Sequence, residues 1–386
     1  MSKYFYHIIL FTAFILLAIC SFSQTKVDTS KTNFEYKGQL STWAHINGNN
    51  PYPLYLGARY IPQANYKIRL KKNHLIDFEA SANIVGDMGV HFWDSTDFNG
   101  NISPYRLWGR YSSSQFEFRV GLQKIDFGTA VMMRALRWFD QVDPRDPLQL
   151  TDGVYGALAR YYFLNNVNIW LWGLYGNENT KGMEILETNI DIPEFGGRVQ
   201  FPIPLGEAGL SYHHRVVDSR KYSKFIPSYE KVPENRIGID AKWDLLIGLW
   251  IEGSYVNKSK DLGALTHQEI MTIGADYTFN VGAGLIVTIE HMLFASDSKA
   301  FEFVSTQNNT GLSLMYPIGM FDNIQAIFYY DWKSEQVYNF VNWFRNFDKT
   351  TFYIMAYWNP DNLITPTGAS NLFAGKGIQF MFVYNH

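Results

Sequence analysis

Ser114-Gln115-Phe116-Glu117-Phe118-Arg119-Val120-Gly121-Leu122-Gln123 is the stretch that decides the fold. Phe116, Phe118, Val120 and Leu122 share one parity, while Glu117, Arg119, Gly121 and Gln123 share the other. Side chains of a β-strand alternate between faces, so this is a strand with one apolar and one charged face. Residues 236–243 repeat the pattern, with Ile237, Ile239, Ala241 and Trp243 set against Arg236, Gly238, Asp240 and Lys242. In 351–358, Phe352, Ile354, Ala356 and Trp358 alternate with Thr351, Tyr353, Met355 and Tyr357. Near the C-terminus Ile378, Phe380, Phe382 and Tyr384 oppose Gln379, Met381, Val383 and Asn385, ahead of a final His386. Such strands fit a soluble sandwich or a barrel with a wet interior.

The spacing of the breaks separates the two. Tight connections are read near 71–74, 112–115, 164–167, 203–206, 244–247, 279–283, 317–322 and 346–349. Mostly longer, polar connections lie between them, near 86–101, 124–152, 177–193, 217–233, 259–267, 296–308, 334–337 and 359–375, with a further short link around 47–51. Alternating short turns and longer loops are the habit of outer-membrane barrels, whereas Greek-key crossings give no such alternation. The fold class read is therefore all-β: one antiparallel transmembrane barrel of about 18 strands, with 16 as the alternative count and both termini periplasmic. The barrel spans 34–386 and carries the long loop 124–152.

Ahead of it, Lys3 precedes an apolar run from Ile8 to Ile19, broken by Thr12. Ser21 and Ser23 are small residues at −3 and −1 of a cleavage before Gln24. That is the layout of a secretory signal peptide, 1–23, followed by a short periplasmic leader, 24–33. Cys20 raises the alternative of a lipoprotein signal, which the bulky Ile19 opposes. Cys20 is also the sole cysteine, so no disulfide is expected. No later stretch is long and apolar enough for a membrane helix, but a barrel strand needs only about 9–11 residues and shows lipid every second side chain. Aromatic residues make up 17% of the chain, which suits interfacial belts, and the net charge of −3 carries no basic stripe for nucleic acid.

Apolar faces toward lipid leave the other faces to line a lumen. That inward set holds Lys67 and Arg69, then Arg106, Arg110, Arg119, Arg160, Arg198 and Arg215, then Arg236 and Lys242. Its acids are Asp77, Glu79, Glu117, Asp240, Glu252, Asp276 and Glu290. Strands four to nine thus read as six arginines against one acid, Glu117, and strands ten to thirteen as four acids and two bases, a basic arc beside an acidic one. Opposed charged walls select polar solutes, and arginine grips carboxylates and phosphates in a bidentate way. The plainer reading is that these charges pair across neighbouring strands. The loop 124–152 is rich in aromatic and charged residues, with Val131, Met132, Leu136 and Phe139 at helical spacing ahead of Asp-Pro steps. It predicts a short helix folded into the barrel, presenting Arg134, Arg137, Asp140, Asp143, Arg145 and Asp146 at a constriction. An outer cap is the other reading.

The run from Arg119 to Gly128, followed by Asp143-Pro144-Arg145-Asp146-Pro147, resembles the strand-plus-loop signature of porin-like outer-membrane barrels of the alginate-export type. The resemblance covers roughly thirty residues and implies a conduit for polysaccharide, oligosaccharide or small anions with an arginine-rich lumen.

Enzymatic readings find little. His213-His214 splits across opposite faces and so cannot hold one metal, no Gly-x-Ser-x-Gly motif occurs, and Glu290-His291 likewise splits across faces and gathers no hydrolase site. The aromatics of Ile169-Trp170-Leu171-Trp172 read as membrane-interface residues, and Trp108 as a sugar-stacking platform if it faces inward. The functional expectation is a non-enzymatic outer-membrane porin for small polar, anionic or sugar-like solutes, without cofactor or metal. A closed structural or assembly barrel of an export or surface complex is the alternative. Expected partners are outer-membrane lipid, the solutes, the barrel assembly machinery and other copies of the chain.

Overall fold

A computed structural model describes residues 33–48, 53–70, 73–90, 96–361 and 373–386. The expected signal peptide 1–23 and nearly all of the leader 24–33 lie outside the described residues, as does most of 359–375.

Eighteen barrel strands follow one another in chain order. The first nine are β1 (Phe34–Asn47), β2 (Leu54–Arg69), β3 (Leu75–Val90), β4 (Thr96–Ser112), β5 (Phe116–Gln123), β6 (Val154–Tyr162), β7 (Asn168–Leu174), β8 (Glu194–Ile203) and β9 (Gly206–Asp218). The second nine are β10 (Val232–Asp244), β11 (Gly248–Lys258), β12 (His267–Phe279), β13 (Leu285–Asp297), β14 (Thr306–Pro317), β15 (Asp322–Asp331), β16 (Gln336–Asn346), β17 (Thr350–Trp358) and β18 (Lys376–Asn385). Each pairs antiparallel with its neighbours in sequence, and β1 pairs with both β2 and β18, as in Gln39 opposite Ile61 and Asn385. The sheet is a closed all-β barrel, and closure removes the free edges that an open sheet would expose.

The alternation read from the sequence sets the two faces. Phe118 and Val120 are exposed on the outside of β5, Ile237 and Ile239 on β10, Phe352 and Ile354 on β17, and Ile378 and Phe380 on β18. Their neighbours Glu117, Arg236, Asp240, Met355 and Met381 are buried inside. The eight tight turns join alternate strand pairs, starting with β2–β3 and ending with β16–β17.

The strand ladder is more extensive than the sequence reading has it. Residues 86–101 are largely strand, not loop: β3 runs to Val90, β4 starts at Thr96, and Gly86 pairs with Gly100. The ladder overrides the low strand propensity of its Gly, Asp and Asn residues, while Ile84, Met88, Phe98 and Ile102 keep the outward alternation. A β-bulge between Ser81 and Ala82 gives β4 one extra residue at Tyr105. The connection 175–193 carries a two-residue strand, Glu187–Thr188, that extends the ladder beside the end of β9.

A circular-dichroism spectrum dominated by β-structure, and a gel band that shifts on boiling, are the expected solution behaviour. A helical spectrum would contradict the fold.

Candidate functional site

The loop between β5 and β6 leaves the wall after Gln123 and enters the barrel. Glu252 lies mid-strand on β11, and its Oε2 accepts the amides of Thr129 at 2.7 Å and Ala130 at 2.9 Å, while Oε1 accepts that of Leu136 at 2.6 Å. Glu290 lies mid-strand on β13. Its Oε1 accepts the Val131 amide at 2.6 Å and the Trp250 indole N–H at 3.1 Å, and its Oε2 accepts Met132 at 3.0 Å and Met133 at 2.6 Å. Thr272 donates to the Met133 carbonyl, and the Trp138 indole to Ser254 Oγ.

These bonds explain why the expected helix is absent. The amides of 129–133 point at two carboxylates, so they are not available to carbonyls four residues back. Gly128 sits at φ +109°, and a Cβ there would lie 2.4 Å from Glu252 Oε2, so both conformation and space demand glycine.

Apolar packing completes the docking. Ile125, Phe127, Leu136, Trp138 and Phe139 bury against Leu158, Trp172 and Leu174 of β6 and β7. Met132, Met133 and Ala135 bury on the far side against Ile270, Met292, Ile327, Phe340, Met355, Tyr357 and Met381. One loop therefore touches both sides of the lumen at mid-height, and it is no outer cap. Trp170 and Trp172 face this interior and not the membrane interface expected of them: Trp172 is buried in the loop's core, and Arg160 stacks on Trp170 at 3.8 Å.

The loop's own charges hold it in shape. Arg134 pairs with Asp140 at 2.7 Å, and Arg145 with Asp143 at 2.7 Å, while Arg137 donates to the Val142 carbonyl. Asp146 accepts the Leu148 and Leu150 amides, and burial raises its carboxyl above the ordinary range in spite of them. Arg137, Asp140 and Arg145 are buried.

The expected basic arc is corrected by pairing. Arg110 makes a bidentate contact with Asp77, and Glu117 gathers Arg110 at 3.2 Å, Arg119 at 3.0 Å and Arg160 at 3.8 Å. Trp108 does face inward, but Arg119 covers its ring at 4.7 Å, so the stacking platform is already taken by a guanidinium. Arg198 forks onto Asp240 at 2.6 and 2.8 Å. Arg215 meets Glu234 and Glu184, Arg236 meets the same two, and Lys258 meets Glu234. Lys181 and His213 share Glu194. Parity does not mark Glu184, Glu194 and Glu234, because they stand in a loop or at strand starts, where alternation is least certain. Arg106 donates to the Thr151 carbonyl and stacks on Tyr105, the residue added by the bulge. Asp276 stands beside Gly248 on the inner wall, with its Oδ1 2.2 Å from where a Cβ of that glycine would sit. Arg59, also unassigned from sequence, lies near the Trp43 ring.

No protein-family model matches the chain, and no curated protein does. Solved structures do match over nearly the whole length. OccAB2 of Acinetobacter baumannii aligns over 92% of this chain and 98% of its own, at 10% identity and a TM-score of 0.57. The fold is that of the porins. OccK7 (OpdD) of Pseudomonas aeruginosa aligns over 92% and 99% at 7% identity and a TM-score of 0.54. Salmonella typhi OmpF, in complex with daunomycin, aligns over 94% and 100% at 6% identity and 0.52. The thirty-residue likeness to alginate-export barrels thus sits within a wider likeness of the whole porin barrel.

Proposed function

We propose that this porin-type barrel is a passive outer-membrane channel for small polar solutes, with a preference for anionic or sugar-like ones. The observation that carries this reading is the loop clamped at mid-wall by Glu252 and Glu290, beside arginines held rigid by ion pairs. A rigid charged constriction selects by sign and shape without binding so tightly that solutes cannot leave. In this reading residues 1–23 direct export and both termini are periplasmic.

The arginines divide by exposure. Side chains of Arg110, Arg119 and Arg160 keep 25%, 16% and 16% exposure, whereas those of Arg198 and Arg215 keep 3% and 2%. The first group is assigned to solute contact, with Arg106 adjoining it. Arg198, Arg215 and Asp240 are assigned to the wall's framework, and Glu252 and Glu290 to holding the loop. Asp276 belongs to the acidic side of the lumen. The loop residues Arg134, Asp143 and Asp146 are assigned to the constriction surface. Arg137, Asp140 and Arg145 fix its shape.

Discrete conductance steps in planar bilayers are expected. Replacing Arg110, Arg119 and Arg160 together by Ser should move the reversal potential toward cations, because three positive charges leave the wall. An unchanged potential would remove these arginines from selection.

The closed structural barrel has one observation in its favour, the burial of Met132 and Met133 against the far wall. Absence of conductance, both in the intact protein and in one lacking 130–149, would establish that second reading.

A further inference from the structure

Short turns on membrane barrels are expected to be polar, since turns favour Gly, Pro, Asn, Asp and Ser. Here five of the eight short turns carry exposed apolar tips. Leu164 is 91% exposed, Leu246 94%, Met320 89% and Leu205 69%, and Leu70, Val281 and Phe347 are exposed as well. Leu164, Leu205, Leu246, Val281 and Met320 stand on five consecutive short turns, from β6–β7 to β14–β15, whereas Leu70 and Phe347 flank turns whose central residues are charged and 113–115 is polar. Several present more than one, as in Leu245-Leu246-Ile247 and in Ile318 with Met320 and Phe321. The turns' own charges are confined to Lys71, Lys72, Asp348 and Lys349. Two of the charge pairs at the adjoining strand ends are Lys242 with Asp244 and Arg345 with Asp322, both at 3.6 Å.

Leu205 adds an independent sign. It stands at φ +60° in the turn Ile203-Pro204-Leu205-Gly206, a conformation that ordinarily calls for Gly or Asn. The leucine held there is 69% exposed, so most of its side chain is left uncovered by the barrel.

We propose that the short-turn rim seats in a lipid surface, its tips at the boundary between headgroups and acyl chains of the facing leaflet. The proposal rests on the membrane-barrel reading above. One observation favours lipid over a protein partner. The tips of the five turns from β6–β7 to β14–β15 continue the apolar outer wall without a break, as Phe163 leads to Leu164 and Phe279 to Val281. The barrel would then sit deep toward its short-turn end, with the long loops standing clear on the other side.

The test uses single cysteines in the full chain with Cys20→Ser. Leu164→Cys, Leu205→Cys, Leu246→Cys and Met320→Cys are labelled with bimane and reconstituted in phosphatidylethanolamine–phosphatidylglycerol vesicles. Ile237→Cys marks the mid-wall, and Lys299→Cys an exposed outer loop. Lipids spin-labelled near the headgroup should quench all four tips several-fold more than Lys299→Cys, and iodide should quench them several-fold less. Tips as open to iodide as Lys299→Cys, with Ile237→Cys still shielded, would overturn the seated rim alone. Iodide access at Ile237→Cys would overturn the membrane barrel itself.

Discussion

Glu290→Ala is expected to free the infolded loop, raise single-channel conductance several-fold and lower the thermal transition of the folded barrel. The carboxylate accepts three loop amides and one indole N–H, at 2.6 to 3.1 Å, inside a buried site. Alanine supplies no acceptor, and the four donors stay desolvated unless the loop leaves. Each buried donor left without a partner costs about 1–3 kcal/mol, so about 4 kcal/mol or more opposes the docked state. Water reaching the freed amides limits the loss, and the compromise is a loop that detaches from a wall that persists. Glu290→Gln keeps one oxygen acceptor and should lie between wild type and alanine. Conductance and melting both unchanged in Glu290→Ala would show that the carboxylate does not hold the loop. Glu252→Ala should act in the same direction through Thr129, Ala130 and Leu136. The two substitutions should fall short of additive, because either one releases the same segment.

The barrel itself was legible because its defining signal is local. Parity over eight residues at 116–123 or 236–243 assigns lipid and lumen without knowledge of any partner, and turn spacing supplies the strand count. The loop was legible only in part. Its length and its aromatic content marked it as an ordered segment, but helical spacing of Val131, Met132, Leu136 and Phe139 pointed to a helix that the structure lacks. What replaces the helix is a pair of acceptors more than one hundred residues away in sequence, and no local pattern encodes that distance. Parity puts both Glu252 and Glu290 on the inner wall, yet it says nothing about what a side chain will meet there. The charge pattern failed for a related reason. Parity marks Glu117 as an inward acid, whereas Glu184 and Glu194, which neutralise Arg215, Arg236 and Lys181, lie in or beside a connection where alternation breaks down.

Glu234→Ala is expected to be the most damaging substitution in the wall, seen as loss of the heat-modifiable folded form or a large drop in its melting temperature. Glu234 is buried and touches Arg215 at 2.5 Å, Arg236 at 2.7 Å and Lys258 at 3.3 Å. With Glu184 and Glu194 it faces Lys181, Arg215, Arg236 and Lys258, so the cluster already carries an excess positive charge. Removing one carboxylate doubles that excess in a site that water barely reaches. Breaking a buried pair from one side costs about 3–5 kcal/mol, because the charge left behind is neither solvated nor matched. The exposed pair Lys37–Glu35 gives the contrast, since both partners are largely in solvent and Glu35→Ala should change melting little. Adding Lys258→Met to Glu234→Ala restores the original charge balance with an apolar side chain of similar length, and should recover part of the lost stability. Failure of the double variant to melt above the single one would show that Glu234 acts through packing, and that the paired charges of this wall are not what keeps it folded.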